Sequence, residues 1–88
     1  MPTAQILRMT LAFVFVECAR GLASSAEQAV RQVQGVLEAH TIKSGTDYDL
    51  LVKVQTEDEK QLKTTITTLK SVAGIAAIAV SIVYGTSQ

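Results

Sequence analysis

With 88 residues the chain has room for one domain and one modest core. Its 8 Lys and Arg balance 8 Asp and Glu, so there is no surplus of positive charge for a polyanion, and 48% apolar against 18% charged residues excludes a disordered polymer. Cys18 is the single cysteine, which rules out an internal disulfide and suits a reducing cytoplasm.

Residues 1–10 hold the single proline, Pro2, and lack periodicity; they read as a leader or a short extra strand. The run Leu11 to Val16 is apolar at odd and even positions alike and reads as a strand ending near Glu17. The stretch Met9 to Val16 after Arg8 is similar to a short signal peptide, but Glu17 and Arg20 stand where a small-residue cleavage site belongs. Ala19-Arg20-Gly21 makes a turn. Ser24 and Glu27 then have the spacing of a capping box, opening a helix whose Ala26, Ala29, Val30 and Val33 form one stripe and which Gly35 stops.

A second strand runs from about Val36 to Lys43. Val36, Glu38, His40 and Ile42 share one face, Leu37, Ala39, Thr41 and Lys43 the other, a mixture that suits a sheet edge. Ser44 to Asp47 is a turn and Tyr48 to Val54 a third strand. Thr56 and Glu59 repeat the capping-box spacing before a second helix, with Leu62, Ile66 and Leu69 as its buried stripe and Lys63 and Lys70 exposed. Gly74 opens the last strand, with Ile75, Ala77, Ala79 and Val83 on one face and Ala76, Ile78, Val80 and Ile82 on the other. The apolar run Val72 to Val83 falls short of the ~20 residues a membrane helix needs.

The order strand, helix, strand, strand, helix, strand is the βαββαβ plan of the α+β, ferredoxin-like fold: a four-stranded antiparallel sheet with two helices on one face. Two helices cover one face only. The first and last strands are nonetheless apolar on both faces, so the second face calls for another subunit, and a dimeric α/β sandwich or barrel is expected. Residues 11–84 form this domain and 85–88 a C-terminal tail.

Signals for chemistry are sparse. His40 and Cys18 stand without metal-ligand or dyad spacing and read as an edge-strand histidine and a small packing residue, so no metal, cofactor or catalytic residue is assigned. Glu57-Asp58-Glu59 reads as an acidic first helical turn. Asp47 and Asp49 flank Tyr48; strand alternation sends both carboxylates to one face, where they serve either as an acid–base pair or an amine site, or as ordinary turn residues.

The segment Gly45-Thr46-Asp47-Tyr48-Asp49-Leu50-Leu51-Val52-Lys53-Val54 resembles the third strand of the ligand-sensing (RAM) domain of the Lrp/AsnC transcription regulators, where a Gly-x-Tyr-Asp pattern leads into an apolar strand. The strand Ala12 to Glu17, the strand Gly35 to His40 and the segment Val72 to Ile75 also fall where that family has them, so the resemblance covers about Leu11 to Tyr84. It implies a non-enzymatic, cytoplasmic sensing and oligomerisation module that dimerises through its sheet, assembles into rings such as octamers, and binds an amino acid or related small molecule. It also implies a possible partner in a full-length Lrp/AsnC-type regulator. The family's helix-turn-helix is missing from these residues, so no direct contact with nucleic acid is expected, and none with membrane. By this resemblance Gly45, Thr46, Asp47, Tyr48 and Asp49 line the ligand site together with Ile78 and Val80, the last two at positions where amino-acid-binding members offer threonines. The glycine also stands one residue earlier than the family pattern places it, at Gly45 rather than position 46. A small dimeric α+β-barrel enzyme and an ACT-like metabolic regulatory domain share the element order and are the alternatives.

Overall fold

The computed structural model describes residues 9–43 and 48–83. It contains strand β1 (Thr10–Cys18), helix α1 (Ala23–Val30), strands β2 (Val36–Thr41) and β3 (Leu50–Thr56), helix α2 (Glu59–Lys70) and strand β4 (Ile75–Val83). The expected leader up to Arg8, the turn Ser44 to Asp47 and the tail after Tyr84 lie outside the described residues. The four strands form one antiparallel sheet in the order β2-β3-β1-β4. This is the ferredoxin-like βαββαβ arrangement.

Alternation along β1 and β3 explains where the core sits. Ala12, Val14 and Val16 of β1 and Leu50, Val52 and Val54 of β3 are fully buried and form one cluster with Ala26 and Val30 of α1 and Leu62 and Leu69 of α2. Both helices therefore cover the same face. Burying a side chain of this size contributes about 1.5–3 kcal/mol, so these two central strands and the helix stripes carry most of the stability. The other face holds Leu11, Phe13, Phe15 and Glu17 of β1, in register with Gln55, Lys53 and Leu51 of β3 and with Val83, Ser81, Ala79 and Ala77 of β4.

Local details depart from the expectations at both helices and at the strand ends. Helix α1 starts with Leu22 as its N-cap and no side-chain cap; Ser24 lies inside the first turn. The preceding turn decides this: Ala19 N–H donates to Gly74 O at 2.7 Å, Leu22 N–H to Ala19 O at 3.0 Å, and Gly21 takes a φ of 79°, so the first helical bond runs from Ala26 N–H to Leu22 O. Helix α1 also ends at Val30, well before Gly35. Gln32, Val33 and Val36 continue with tighter bonds to the third residue back, which still brings Val33 against the core but leaves Ala29 exposed.

Helix α2 is capped by Asp58, whose carboxylate accepts from Gln61 N–H at 2.8 Å, rather than by Thr56. Thr56 is the buried last residue of β3, and its hydroxyl donates to Asp58 O at 2.8 Å. In β2 a bulge between Val36 and Glu38 sets Val36 and Ala39 opposite Val54 and Val52, so these two share the helix side and Leu37 is exposed. A second irregularity between Glu17 and Cys18 sets Ile75 opposite Cys18, and both pack against the core rather than joining Ala77 on the open face. Strand β2 stops at Thr41, and β3 begins at Leu50, after Tyr48 and Asp49.

Candidate ligand and assembly site

Where β1 ends, Asp49 binds three strands together. Its Oδ2 accepts from Cys18 N–H at 2.8 Å, at the irregularity where β1 loses regular pairing with β4. Its own N–H donates to Val16 O at 2.7 Å, and its carbonyl accepts from Ile42 N–H at 2.8 Å, just past β2. One carboxylate oxygen is thus occupied in holding the backbone. Burial, then the Asp49 carboxylate, pushes the Cys18 thiol above its ordinary range, the opposite of what a nucleophile needs.

Tyr48 and Asp49 precede β3, so strand alternation does not govern them. The Tyr48 ring lies 5.7 Å from that of Phe15, tilted by 47°, which places the phenol beside the open face of the sheet. Gly45, Thr46 and Asp47 lie outside the described residues. Ile78 and Val80 pair with Val16 and Val14, on the helix side, so within one chain they stand on the opposite face from Phe15 and Tyr48.

The open face itself is divided. Phe13, Phe15, Leu11 and Val83 make its β1–β4 half apolar and only partly buried. Its β2–β3 half is polar: Lys53 lies opposite Glu38, with Nζ 3.9 Å from the carboxylate, and His40 Nε2 is 3.0 Å from the other Glu38 oxygen. The hydrogen bond to His40, then the Lys53 charge, holds the Glu38 carboxyl below the usual carboxylate range. Among the described residues no three His, Cys, Asp or Glu side chains converge as a metal site would require.

An open groove of about 790 Å³ lies at the other end of the sheet, between the segment Val33-Gln34-Gly35, the end of β3 and the face of α2 that carries Gln61, Thr64, Thr65 and Thr68. Its one sign in the sequence is the threonine run Thr64-Thr65 and Thr67-Thr68. The hydroxyls of Thr64, Thr65 and Thr68 all donate to backbone carbonyls, of Lys60, Gln34 and Thr64 respectively. The groove is distant from Tyr48.

The chain matches the family described as the Lrp/AsnC ligand binding domain over residues 11–87. It belongs to that family. Among solved structures, this Lrp/AsnC domain is similar to hypothetical protein PHS023 from Pyrococcus horikoshii, at 26% identity over 88% of this chain and 92% of that one, with a TM-score of 0.78. FFRP-DM1 is similar at 26% identity over 85% of this chain and 99% of that one, also with a TM-score of 0.78. E. coli AsnC shares the fold at 18% identity and a TM-score of 0.76; the match covers 88% of this chain and 52% of AsnC, about half its length. No curated protein matches the sequence. No helix among the described residues is long and apolar enough to cross a membrane.

Proposed function

We propose that this Lrp/AsnC domain is a non-enzymatic, cytoplasmic module that senses a small molecule and assembles with copies of itself through the open face of its sheet. The observation that carries this is the Phe15–Tyr48 ring contact, which sets the Tyr48-Asp49 motif against the apolar half of an uncovered face. A ligand touching Tyr48 therefore meets the assembly surface directly. Leu11, Phe13, Phe15 and Val83 contribute about 1.5–3 kcal/mol each when fully buried. Apolar burial on that scale is what can offset an association cost of about 4–15 kcal/mol.

An amino acid suits the site. Its ammonium can pair with a carboxylate, and its carboxylate can be received by backbone N–H groups such as a glycine-containing segment offers. With one Asp49 oxygen held by Cys18 N–H, the free oxygen and Asp47 are the candidates for the ammonium. Ile78 and Val80 reach such a ligand only from a neighbouring subunit, as in a ring of dimers. A non-enzymatic role is supported by the raised Cys18 thiol and by the backbone role of Asp49. Both helices supply the core that covers the sheet and the formal net charge is zero, which supports action on DNA only through co-assembly with a full-length regulator.

Light scattering of the wild-type chain and of Phe13→Asp tests the assembly. A dimer or larger species for the wild type and a smaller, folded species for the variant are expected; a wild-type monomer at high concentration overturns the reading. Calorimetric screening of the twenty amino acids against wild type and Tyr48→Ala tests the site. Binding that Tyr48→Ala leaves unchanged places the ligand elsewhere.

A further inference from the structure

The groove at the far end of the sheet has a chemistry set by its threonines. Thr56, Thr64, Thr65 and Thr68 all line it. A hydroxyl has one proton to donate and two lone pairs with which to accept. Here all four protons are committed within the chain: Thr56 donates to Asp58 O, Thr64 to Lys60 O, Thr65 to Gln34 O and Thr68 to Thr64 O. What is left on each oxygen is the capacity to accept. Thr56 and Thr65, 6% and 7% exposed, form the floor of the groove, while Thr64 and Thr68 stand one helical turn apart on its α2 wall. Gly35 keeps the floor uncovered, because a Cβ there would stand 3.0 Å from Thr65 Oγ1 and 3.4 Å from Thr56 Cγ2.

The charge in the groove has the same sense. Among the described residues Glu57 is the one charged side chain that lines it, and no ion pair engages that carboxylate. The nearby donor at the start of α2, Gln61 N–H, is already held by the Asp58 carboxylate. An anion entering the groove would meet lone pairs and a carboxylate. A cation that carries N–H donors meets their complement, and the glutamine amides of the lining serve it through their oxygens. Met9 and Val33 add apolar surface. The volume of about 790 Å³ is that of a small-molecule cleft.

We propose that this groove binds an aliphatic organic cation, an alkylguanidinium or alkylammonium. Its N–H groups meet Glu57 and the threonine oxygens, and its methylenes lie along Met9 and Val33. The site is at the opposite end of the sheet from Tyr48 and its floor is on the helix side, so it does not rest on the function proposed above.

Titration of the isotope-labelled chain with agmatine, followed by NMR at neutral pH and low salt, tests it. Saturable shifts are expected at the backbone amides of Gly35, Gln61 and Thr64, with none at Tyr48. N-butylurea, a neutral analogue of similar shape, and inorganic phosphate are expected to leave those amides unmoved. Glu57→Gln is expected to weaken agmatine about five- to tenfold. Thr64→Val combined with Thr68→Val, which keeps the side-chain shape and removes two acceptors, is expected to weaken it as well, its fold being verified in the same spectra. Tyr48→Ala is expected to leave the affinity for agmatine unchanged, which separates this site from the one proposed above. Absence of saturable shifts overturns the proposal, as do shifts confined to the surroundings of Tyr48. Equal binding of N-butylurea, or undiminished affinity in Glu57→Gln or in the folded threonine double variant, overturns it too.

Discussion

Asp49 shows how a motif residue acquires a structural role. Its carboxylate holds Cys18 N–H where β1 leaves its regular register, and its charge helps to raise the thiol beside it. Asp49→Asn keeps an oxygen acceptor and removes the charge, so the thiol is expected to titrate closer to its ordinary range and to react faster with iodoacetamide at pH 8; an unchanged alkylation rate refutes the coupling. Because the folded thiol titrates above the unfolded one, its contribution to stability is complete below the unfolded pKa and lost as the pH rises through the folded value. Glu38 has the opposite sign. Its contribution is present above the usual carboxylate range and lost as the pH falls through the depressed folded value, and His40→Ala is expected to move the Glu38 titration, followed by NMR, back toward that range. Gly35 is constrained in two ways: its φ is 101°, and a Cβ there would stand 3.0 Å from the Thr65 hydroxyl that donates to Gln34 O. Gly35→Ala is expected to cost about 1–3 kcal/mol in urea unfolding, more than Gly21→Ala, where a Cβ meets nothing within 4 Å.

At the scale of the element, the two helix starts differ in what holds them. Asp58→Ala removes the side-chain acceptor for Gln61 N–H and is expected to destabilise the domain by about 1 kcal/mol, within the usual range of about 0.5–2. Ser24→Ala removes no cap and is expected to be close to neutral by the same denaturation measurement. The capping-box spacing occurs in the sequence at Ser24–Glu27, at Thr56–Glu59 and, in its Asp/Gln form, at Asp58–Gln61. Only the last begins past the end of a strand, where the backbone is free to turn; Thr56 is still paired with Thr10 as the final residue of β3. Glu27 is used otherwise. It accepts from Arg31 and from the Thr41 hydroxyl, while Arg31 also donates to Ala39 O, so α1 is tied to β2 from its side rather than capped at its end.

For the whole molecule, the consequence of a one-sided core is linkage between stability and concentration. If the open face is covered by a second copy, association stabilises the folded state by mass action, and the melting temperature rises with protein concentration. The wild type is expected to show that rise in scanning calorimetry and Phe13→Asp to lose most of it; a concentration-independent wild type argues against assembly through this face. The division of the face is also expected to set orientation. Phe13 and Phe15 supply the apolar half, whereas the Glu38, His40 and Lys53 strip prefers water or a charged partner.

The element order, the apolar alternation of β1 and β3, the helix stripes Ala26–Val30 and Leu62–Leu69, and the family resemblance through Tyr48-Asp49 are all legible in the linear chain. Each is a local pattern whose period matches the structure it forms. Tertiary structure alone decided what depends on several strands meeting. The bulges that turn Val36 with Ala39 and Ile75 with Cys18 toward the core, and the choice of Asp58 as cap, follow from how strand ends are held by neighbours distant in sequence. So do the placement of Tyr48 against Phe15 and the separation of Ile78 and Val80 onto the other face. A strand's period states that its faces differ; pairing register determines which neighbours share each face.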